Sequence, residues 1–377
     1  MPVLVVRGLH ATPFEVGVVN AAQFLPYALL GLLAGVYVDR WRRRPILVWS
    51  SLGRAAALGA IPVLWAFDAL HLWMLVLLLL AFGACSVFGF AATQSLLPRL
   101  VPTSQLVTAN ARLDQTDAAA STLGPALGGG LVGLLGAPVA IVVDAVSYLL
   151  DALLNAGLRV EEPRPEVRER NLLREIREGL SWGYRHPTLG PLSISTHVWF
   201  LANSAAFTAL AVIALRSLDL SALVFSLLLT VNGVAGLVGA TLAPAAGRRW
   251  GSGPTIIATR IAYPLGWLVV AVLLTTSANV VALFVTLAIE GMAGGVSNAH
   301  EMAVRQGVTP DGLLGRVNAS MRSANRSVAA AGALLGGAVL AAVGGRTTLV
   351  GVVVVFAVAA ALAIASPLRG ARRTGSW

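Results

Sequence analysis

Apolar segments of about 20 residues, separated by short polar connections, recur along the whole chain and constrain its fold more than any other feature. Roughly 20 apolar residues are enough for an α-helix to cross the hydrocarbon core of a bilayer. Only helices and closed barrels satisfy their backbone hydrogen bonds there, and this sequence lacks the alternation typical of barrel strands. We therefore predict an all-α membrane protein. Its eleven expected spans lie near 14–38, 45–67, 71–93, 115–135, 138–158, 192–215, 221–246, 253–275, 278–302, 322–343 and 347–366.

Composition agrees with this fold class and excludes several functions. Charged residues make up 12% of the 377 residues, against roughly 25% in a soluble domain. All 27 basic residues are arginine, so the chain lacks the lysine of a nucleotide-binding Walker A loop. The single cysteine, Cys85, rules out an intramolecular disulfide. Because the sequence has no metal, nucleophile–base or nucleotide motif, we expect neither an enzyme nor a cofactor.

Arginines mark one side of the expected membrane protein. Successive loops should lie on alternating sides of the membrane. Counted from the loop at 40–44, twenty-one arginines then fall on the side of that loop and only Arg7, Arg216 and Arg346 on the other. Basic residues are enriched in cytoplasmic loops, so we expect the arginine-rich side and the C-terminus to be cytoplasmic, in a cell (plasma) membrane. This bias accounts for the net charge of +10 without nucleic acid as a partner.

An internal repeat divides the chain into two halves. A shift of 208 residues lays 102–136 on 310–344 without a gap, with nine identical residues. Both copies run in the same direction across the membrane, as in transporters built from parallel repeats. The second half then has six spans and the first half five, so we expect a missing first helix upstream of Met1.

This repeat predicts four parts. They are an N-terminal half-bundle at 1–158 (helices 2–6 and the end of helix 1), a cytoplasmic linker at 159–189, a C-terminal half-bundle at 190–366 (helices 7–12) and a cytoplasmic tail at 367–377. The linker contains an amphipathic helical pattern. That pattern suits either a helix on the membrane surface or a solvated linker helix.

The connection between the first two spans carries a motif with a known counterpart. It reads Gly35-x-x-x-Asp39-Arg40-x-x-Arg43-Arg44. This motif resembles the signature of the major facilitator superfamily between helices 2 and 3, with Arg42 in place of the usual glycine.

Three other segments are similar to exporters of the same superfamily. The segment Gly124-Pro125-x-x-Gly128-Gly129 resembles the end of the helix-5 motif of drug/proton antiporters. The runs at 144–148 and 178–187 are similar to the twelve-helix drug and siderophore exporter branch that includes the enterobactin exporter. The resemblance implies two pseudo-symmetric six-helix bundles, a small-molecule substrate and a proton as the coupling ion.

The resemblance also gives two sets of residues a mechanical role. The charged connection is expected to act as a gate, with Asp39 near the N-terminus of the helix that begins around 317–322, where an anion is favoured. The gate residues are Gly35, Asp39, Arg40, Arg43 and Arg44. Small residues at i, i+4 spacing let helices approach closely, so a second set is expected where the halves meet, either as a sliding interface or as plain packing. These are Gly124, Pro125, Gly128, Gly129, Gly332, Gly336 and Gly337.

Polar residues inside the spans are candidates for binding protons or substrate, because charges are rare in the bilayer. Glu290 lies about twelve residues into its span, near the midplane at about 1.5 Å per residue. It either exchanges protons or makes a structural hydrogen bond. Asp144 and Asp151 suggest a proton relay, but helix 6 is peripheral in the family, so a packing seam is favoured. The other candidates are Asn20, Gln23, Tyr27, His197 and Asn203.

Two arginines fall inside predicted spans at equivalent places in the two halves. Arg54 and Arg260 either extend their guanidinium groups to the cytoplasmic interface or pair with an acid, and we expect extension.

Together these features predict a monomeric, proton-coupled exporter of small amphipathic molecules that works by alternating access. The alternative is a receptor or scaffold without transport activity, or an N-terminally truncated fragment. The missing first helix keeps this alternative open, because that helix normally lines the cavity of the family.

Overall fold

The computed structural model describes residues 1–102, 105–158 and 172–370. These residues form helices and connections without strands. The α-helices are α1 (Pro13–Arg40), α2 (Arg43–Ala66), α3 (Leu72–Leu100), α4 (Leu106–Leu135), α5 (Ala137–Gly157), α6 (Leu172–Arg185), α7 (Leu189–Val212), α8 (Ala222–Trp250), α9 (Ser252–Leu273), α10 (Asn279–Val308) and α11 (Asp311–Ala365).

Within the described ranges, eight helices are long and apolar enough to cross a membrane. Helix α11 is one of them, although Gly344 leaves the helical conformation and divides it into two arms, 311–343 and 345–365. These arms correspond to the predicted spans at 322–343 and 347–366. The prediction of an all-α membrane fold is confirmed.

Gly136 and Gly344, which the 208-residue repeat aligns, have nearly the same backbone conformation. Their φ and ψ angles are 82° and 162° at Gly136, and 77° and 175° at Gly344. Residues with a Cβ rarely adopt a positive φ, so glycine permits a sharp turn between consecutive helices at both sites. The repeat in the sequence is therefore also a repeat in backbone geometry.

Two connections that sequence identity did not align also share their geometry. Leu4–Gly8 and Ile213–Ser217, 209 positions apart, are both single π-helical turns. Each is followed by a residue with positive φ and then by a helix whose N-cap hydroxyl accepts a backbone hydrogen bond. These residues are His10 and Thr12 in the first half, and Asp219 and Ser221 in the second. The pseudo-symmetry extends to the connections before α1 and α8.

Helices α1–α5 build the first half and α7–α11 the second. In the first half α2 packs on α5, and α3 packs on α1 and α2. In the second half α7 packs on α11, and α10 packs on α8 and α9. The two halves meet chiefly where α1 contacts α11 and where α4 contacts α8.

Helix α6 is the described part of the predicted linker, and 159–171 lies outside the described residues. It packs against the beginning of α11: a Cβ at Gly179 would lie 2.9 Å from the backbone of Arg316. Glu178 forms an ion pair with Arg316 at 2.6 Å, and Trp182 packs on the apolar cluster that includes Val317. The amphipathic helix therefore docks its apolar face on the second half.

Candidate functional site

One close contact between the halves joins α1 and α11 at two glycines. A Cβ at Gly17 would lie 2.6 Å from the carbonyl oxygen of Ala333 and 3.2 Å from the Cα of Gly337. A Cβ at Gly337 would lie 3.0 Å from the Cα of Gly17. Small residues allow this approach of two backbones in a membrane, where van der Waals packing drives helix association. Gly337 was predicted at the interface, whereas Gly17 was not.

One end of this interface, formed by the connections before α1 and α8, is held by two arginines. Arg7 forms an ion pair with Asp219 at 2.7 Å and donates to the carbonyl oxygen of Leu220 at 2.9 Å. Arg216 donates to the carbonyl oxygen of Ala11 at 2.6 Å. Each half thus contributes one arginine to the loop of the other half. We call this reciprocal pair of contacts the arginine clasp.

Nearer the arginine-rich end, α11 presents guanidinium groups to aromatic rings of the first half. Arg326 lies 5.4 Å from the ring centroid of Phe24 and 5.7 Å from that of Tyr27. Arg322 lies 4.1 Å from the ring centroid of Phe90 on α3. Each such cation–π contact contributes about 0.5–2 kcal/mol, so these contacts are individually weak and breakable.

Two of the three predicted polar candidates of α1 make contacts across this same interface. The side-chain amide of Asn20 donates to the hydroxyl of Thr208 on α7 at 3.1 Å. The backbone carbonyl of Tyr27 accepts a hydrogen bond from Ser323 of α11 at 3.1 Å. Gln23 lies between them on the helix and is half-buried. Asn20 and Tyr27 therefore take part in contacts between the halves.

The predicted gate is described in part. Helix α1 continues through Arg40 and α2 begins at Arg43, but the side chains of Gly35, Asp39 and Arg40 lie outside the described residues. Arg43 is buried, with 6% of its surface exposed. Arg44 donates to the carbonyl oxygen of Ala156 near the end of α5. Arg44 thus joins the gate loop to α5 of its own half.

The seven predicted interface residues lie in different surroundings. Gly129 touches Ser226 of α8 and so lies between the halves, as Gly337 does. Gly332 and Gly336 instead pack against α7 of their own half. Gly124 and Gly128 have no atom of the described residues within 4 Å of an added Cβ. The side chain of Pro125 is outside the described part.

Arg260 forms a buried ion pair in the second half. Only 3% of its side chain is exposed, and it contacts Glu301 of α10 at 2.6 Å. The hydroxyl of Thr196 bridges the pair, since it accepts from Arg260 at 3.0 Å and donates to Glu301 at 2.9 Å. Ser297 also donates to Glu301, at 2.6 Å. The expectation that Arg260 extends to the interface is wrong, because an acid and a hydroxyl satisfy it inside.

Arg54 forms the corresponding ion pair in the first half. It contacts Asp151 of α5 at 3.2 Å and donates to the hydroxyl of Ser51 at 2.9 Å. Its guanidinium lies 4.5 Å from the ring centroid of Tyr148. Extension to the interface is wrong here too. Asp151 thus joins α5 to α2, whereas Asp144, two turns away, lies on an exposed part of α5.

Glu290 is buried in the second half with 5% of its surface exposed. Its polar neighbour is Trp267 of α9, but Glu290 Oε2 and Trp267 Nε1 both lack a hydrogen bond of regular geometry among the described residues. Ser297, predicted on the same face, bonds Glu301 instead. Glu290 is a buried carboxyl that the described side chains leave without a cationic partner.

His197 connects the linker helix to α11. Its ring nitrogens lie 2.7 Å from the hydroxyl oxygen of Tyr184 and 2.6 Å from Asn325 Oδ1. Because Asn325 Oδ1 only accepts, Nδ1–H donates to it, and in a ring with that single proton Nε2 accepts from the hydroxyl of Tyr184. Asn203 lies further along α7 and is half-buried.

Several residues of these contacts were not predicted. Glu301 lies on the same stripe of α10 as Glu290, since 290, 297 and 301 are seven and four residues apart, and this spacing gave a signal. Asn325 and Tyr184 both contact His197 when α6 is docked. The sequence gave no signal for this docking.

Residues 1–263 match the family model described as Major Facilitator Superfamily. This chain belongs to the Major Facilitator Superfamily. The family and its fold are those of multi-pass membrane transporters, which are not enzymes.

Curated relatives within this superfamily include efflux proteins. The chain is 29% identical to the multidrug efflux pump Tap of Mycobacterium bovis over 198 residues, which cover 50% of this chain and 47% of that protein. It is 26% identical to macrolide efflux protein A of Streptococcus pyogenes over 160 residues, 42% of this chain and 40% of the relative. The matched regions span less than half of the length of these relatives.

Solved structures support the fold along the whole chain. The nucleoside transporter NupG superposes with a TM-score of 0.76 and 12% sequence identity, covering 97% of this chain and 92% of that one. At this identity the likeness concerns the arrangement of helices alone.

Proposed function

We propose that this protein is a secondary transporter that exports small amphipathic molecules in exchange for protons by alternating access. The arginine clasp is the observation that carries the proposal, because it closes one end of a two-half interface with reversible contacts. The matched relatives named as efflux proteins support export.

The energies of the contacts suit an end that opens and closes. Asp219 is 90% exposed and Arg7 38% exposed, and an exposed ion pair contributes only about 0–1 kcal/mol. The Arg7–Asp219 pair therefore adds little to the free energy needed to open this end. The Gly17–Gly337 contact lies between the clasp and the cation–π contacts of α11, so it is placed to serve as the pivot.

Orientation follows from the distribution of arginines. Under the positive-inside rule, the clasp faces the outside of the plasma membrane and the C-terminus faces the cytoplasm. The clasp is closed in this conformation, and opening toward the cytoplasm to admit substrate would separate Arg322 and Arg326 of α11 from the aromatic rings of the first half. We propose that a single chain suffices, because both halves of the interface are present in it.

Glu290 is the residue we assign to proton coupling. A buried carboxyl without a cation nearby is suited to bind a proton in one state and release it in another. Asp151 and Glu301 are less suited, because each is held by an arginine of its own half.

The test is transport by the full chain in proteoliposomes. Erythromycin is the first probe, because one relative is named for macrolide efflux, and ethidium is the second. We expect an imposed proton gradient to drive accumulation of at least one probe, and a protonophore to abolish it. If neither probe moves under a gradient that a known proton antiporter uses in parallel, the proton-coupled export proposal is wrong, and a receptor or scaffold takes its place.

A further inference from the structure

A cavity of about 1270 Å³ lies among the ends of α8, α9 and α10, inside the second half. It is separate from the α1–α11 contact that joins the halves. Most of its lining consists of small side chains, including Ala243, Ala258 and Ala303, which leave the space open.

The rim of the cavity is cationic and aromatic. Arg248, Arg249 and Trp250, the last residues of α8, line it. All three are exposed, and the guanidinium of Arg249 lies 5.7 Å from the ring centroid of Trp250. No acidic side chain of the described residues lines the cavity. Guanidinium groups on a rim without carboxylates in the cavity lining suit the binding of a phosphate anion.

A fixed histidine forms the floor of the cavity. His300 is 7% exposed, and its Nε2 lies 3.0 Å from the carbonyl oxygen of Ala243, which only accepts. Nε2 therefore carries a proton and donates to it, and Nδ1 lies 3.2 Å from the hydroxyl oxygen of Ser252. A Cβ at Gly247 would lie 2.5 Å from the imidazole ring. The floor is thus held in place by hydrogen bonds and packing, and the two arginines of the rim supply positive charge.

An apolar strip leads away from the cavity along α9. Ala258, Ile261 and Leu265 are exposed and lie on one helical face at i, i+3 and i+7. Ile261 is 38% and Leu265 57% exposed. Because α9 is long and apolar enough to span the membrane, this strip faces the acyl region beside the charged rim.

We propose that this cavity binds the phosphate headgroup of an anionic phospholipid, with one acyl chain along the strip on α9. A free phosphate would use the same two guanidinium groups but would leave the apolar strip unused. The strip and the interfacial Trp250 favour the lipid, since tryptophan and arginine are typical anchors at the membrane interface.

The test measures lipid retention by native mass spectrometry of the full-length protein in detergent. Dioleoylphosphatidylglycerol is the probe and dioleoylphosphatidylcholine the zwitterionic comparison. We expect one phosphatidylglycerol molecule to bind more tightly than any phosphatidylcholine. The double variant Arg248→Gln/Arg249→Gln should lower phosphatidylglycerol affinity about 30-fold.

The control is Arg42→Gln/Arg112→Gln, which removes the same charge from exposed arginines elsewhere and should bind as the wild type does. Ala258→Phe should fill the cavity without changing its charge and should also weaken phosphatidylglycerol binding. This variant decides the question if the double variant does not fold.

The proposal is overturned if both cavity variants bind phosphatidylglycerol like the wild type, or if the control loses affinity equally. It is also overturned if excess inorganic phosphate displaces phosphatidylglycerol from the wild type and binds equally well to Ala258→Phe, because the site would then hold a free anion.

Discussion

Arg7 and Arg216, one from each half of the protein, reach across the interface and bind the connection of the opposite half. The two arginines occupy equivalent places in two π-helical turns of the same geometry. Their contacts are therefore related by the pseudo-symmetry of the fold, and closing one end of the interface engages both.

Removing the clasp should open that end of the protein. For Arg7→Ala/Arg216→Ala we expect the ratio of clasped to open molecules to fall about fivefold for each 1 kcal/mol lost from the exposed contacts. Spin labels at Phe14 and Leu223, in a background where Cys85 is serine, report the separation of α1 and α8 by electron paramagnetic resonance. Arg346→Ala is the matched control, because Arg346 is exposed on the side expected to carry the clasp. An unchanged distance distribution in the double variant would contradict the role of the clasp.

A methyl group at the glycine contact should disturb the pivot. Gly337→Ala places a Cβ 3.0 Å from Gly17, and such overpacking costs about 1–3 kcal/mol. We expect a lower midpoint of thermal unfolding in detergent and slower transport. Gly128→Ala serves as the control, since no described atom lies within 4 Å of its added Cβ. Equal effects of the two substitutions would contradict the prediction that the Gly17–Gly337 contact acts as a pivot.

Replacing the buried carboxyl of α10 should uncouple transport from protons. Glu290→Gln keeps the shape of the side chain but cannot bind and release a proton, so accumulation driven by a proton gradient should be lost. Exchange of substrate between equal pools, which needs no net proton movement, should persist. Asp144→Asn makes the same chemical change on an exposed part of α5 and should leave coupling intact. Gradient-driven accumulation by Glu290→Gln would place the coupling group elsewhere.

The buried ion pair of the second half should dominate its stability. Glu301→Ala leaves Arg260 without its acid in a site 3% exposed, and breaking such a pair costs about 3–5 kcal/mol. Glu178→Ala removes an acid that is 37% exposed, where the cost is about 0–1 kcal/mol. Chemical unfolding in detergent measures both values. A loss for Glu301→Ala no larger than that for Glu178→Ala would show that the pair adds little.

The sequence was sufficient for the fold but only partly for the contacts. Apolar length places the spans, and Gly136 and Gly344 reveal the repeat because only glycine suits their turn. The arginine clasp is not predictable from sequence, because the two connections share backbone geometry with little identity beyond Arg7 and Arg216. The ion pair of Arg260 is not predictable from sequence, because its partner Glu301 lies on a different helix, 41 residues away. Only tertiary packing brings the two side chains together.

The glycine turns have a mechanical consequence. One residue, Gly136, joins α4 to α5, another, Gly251, joins α8 to α9, and Gly344 joins the two arms of α11. A one-residue joint leaves no slack between the helices on either side. The halves meet at α4, α8 and α11. When one of these helices moves, the helix joined to it by the glycine must therefore move with it. A displacement at the centre of the protein is thus passed directly to the surface that touches the lipid.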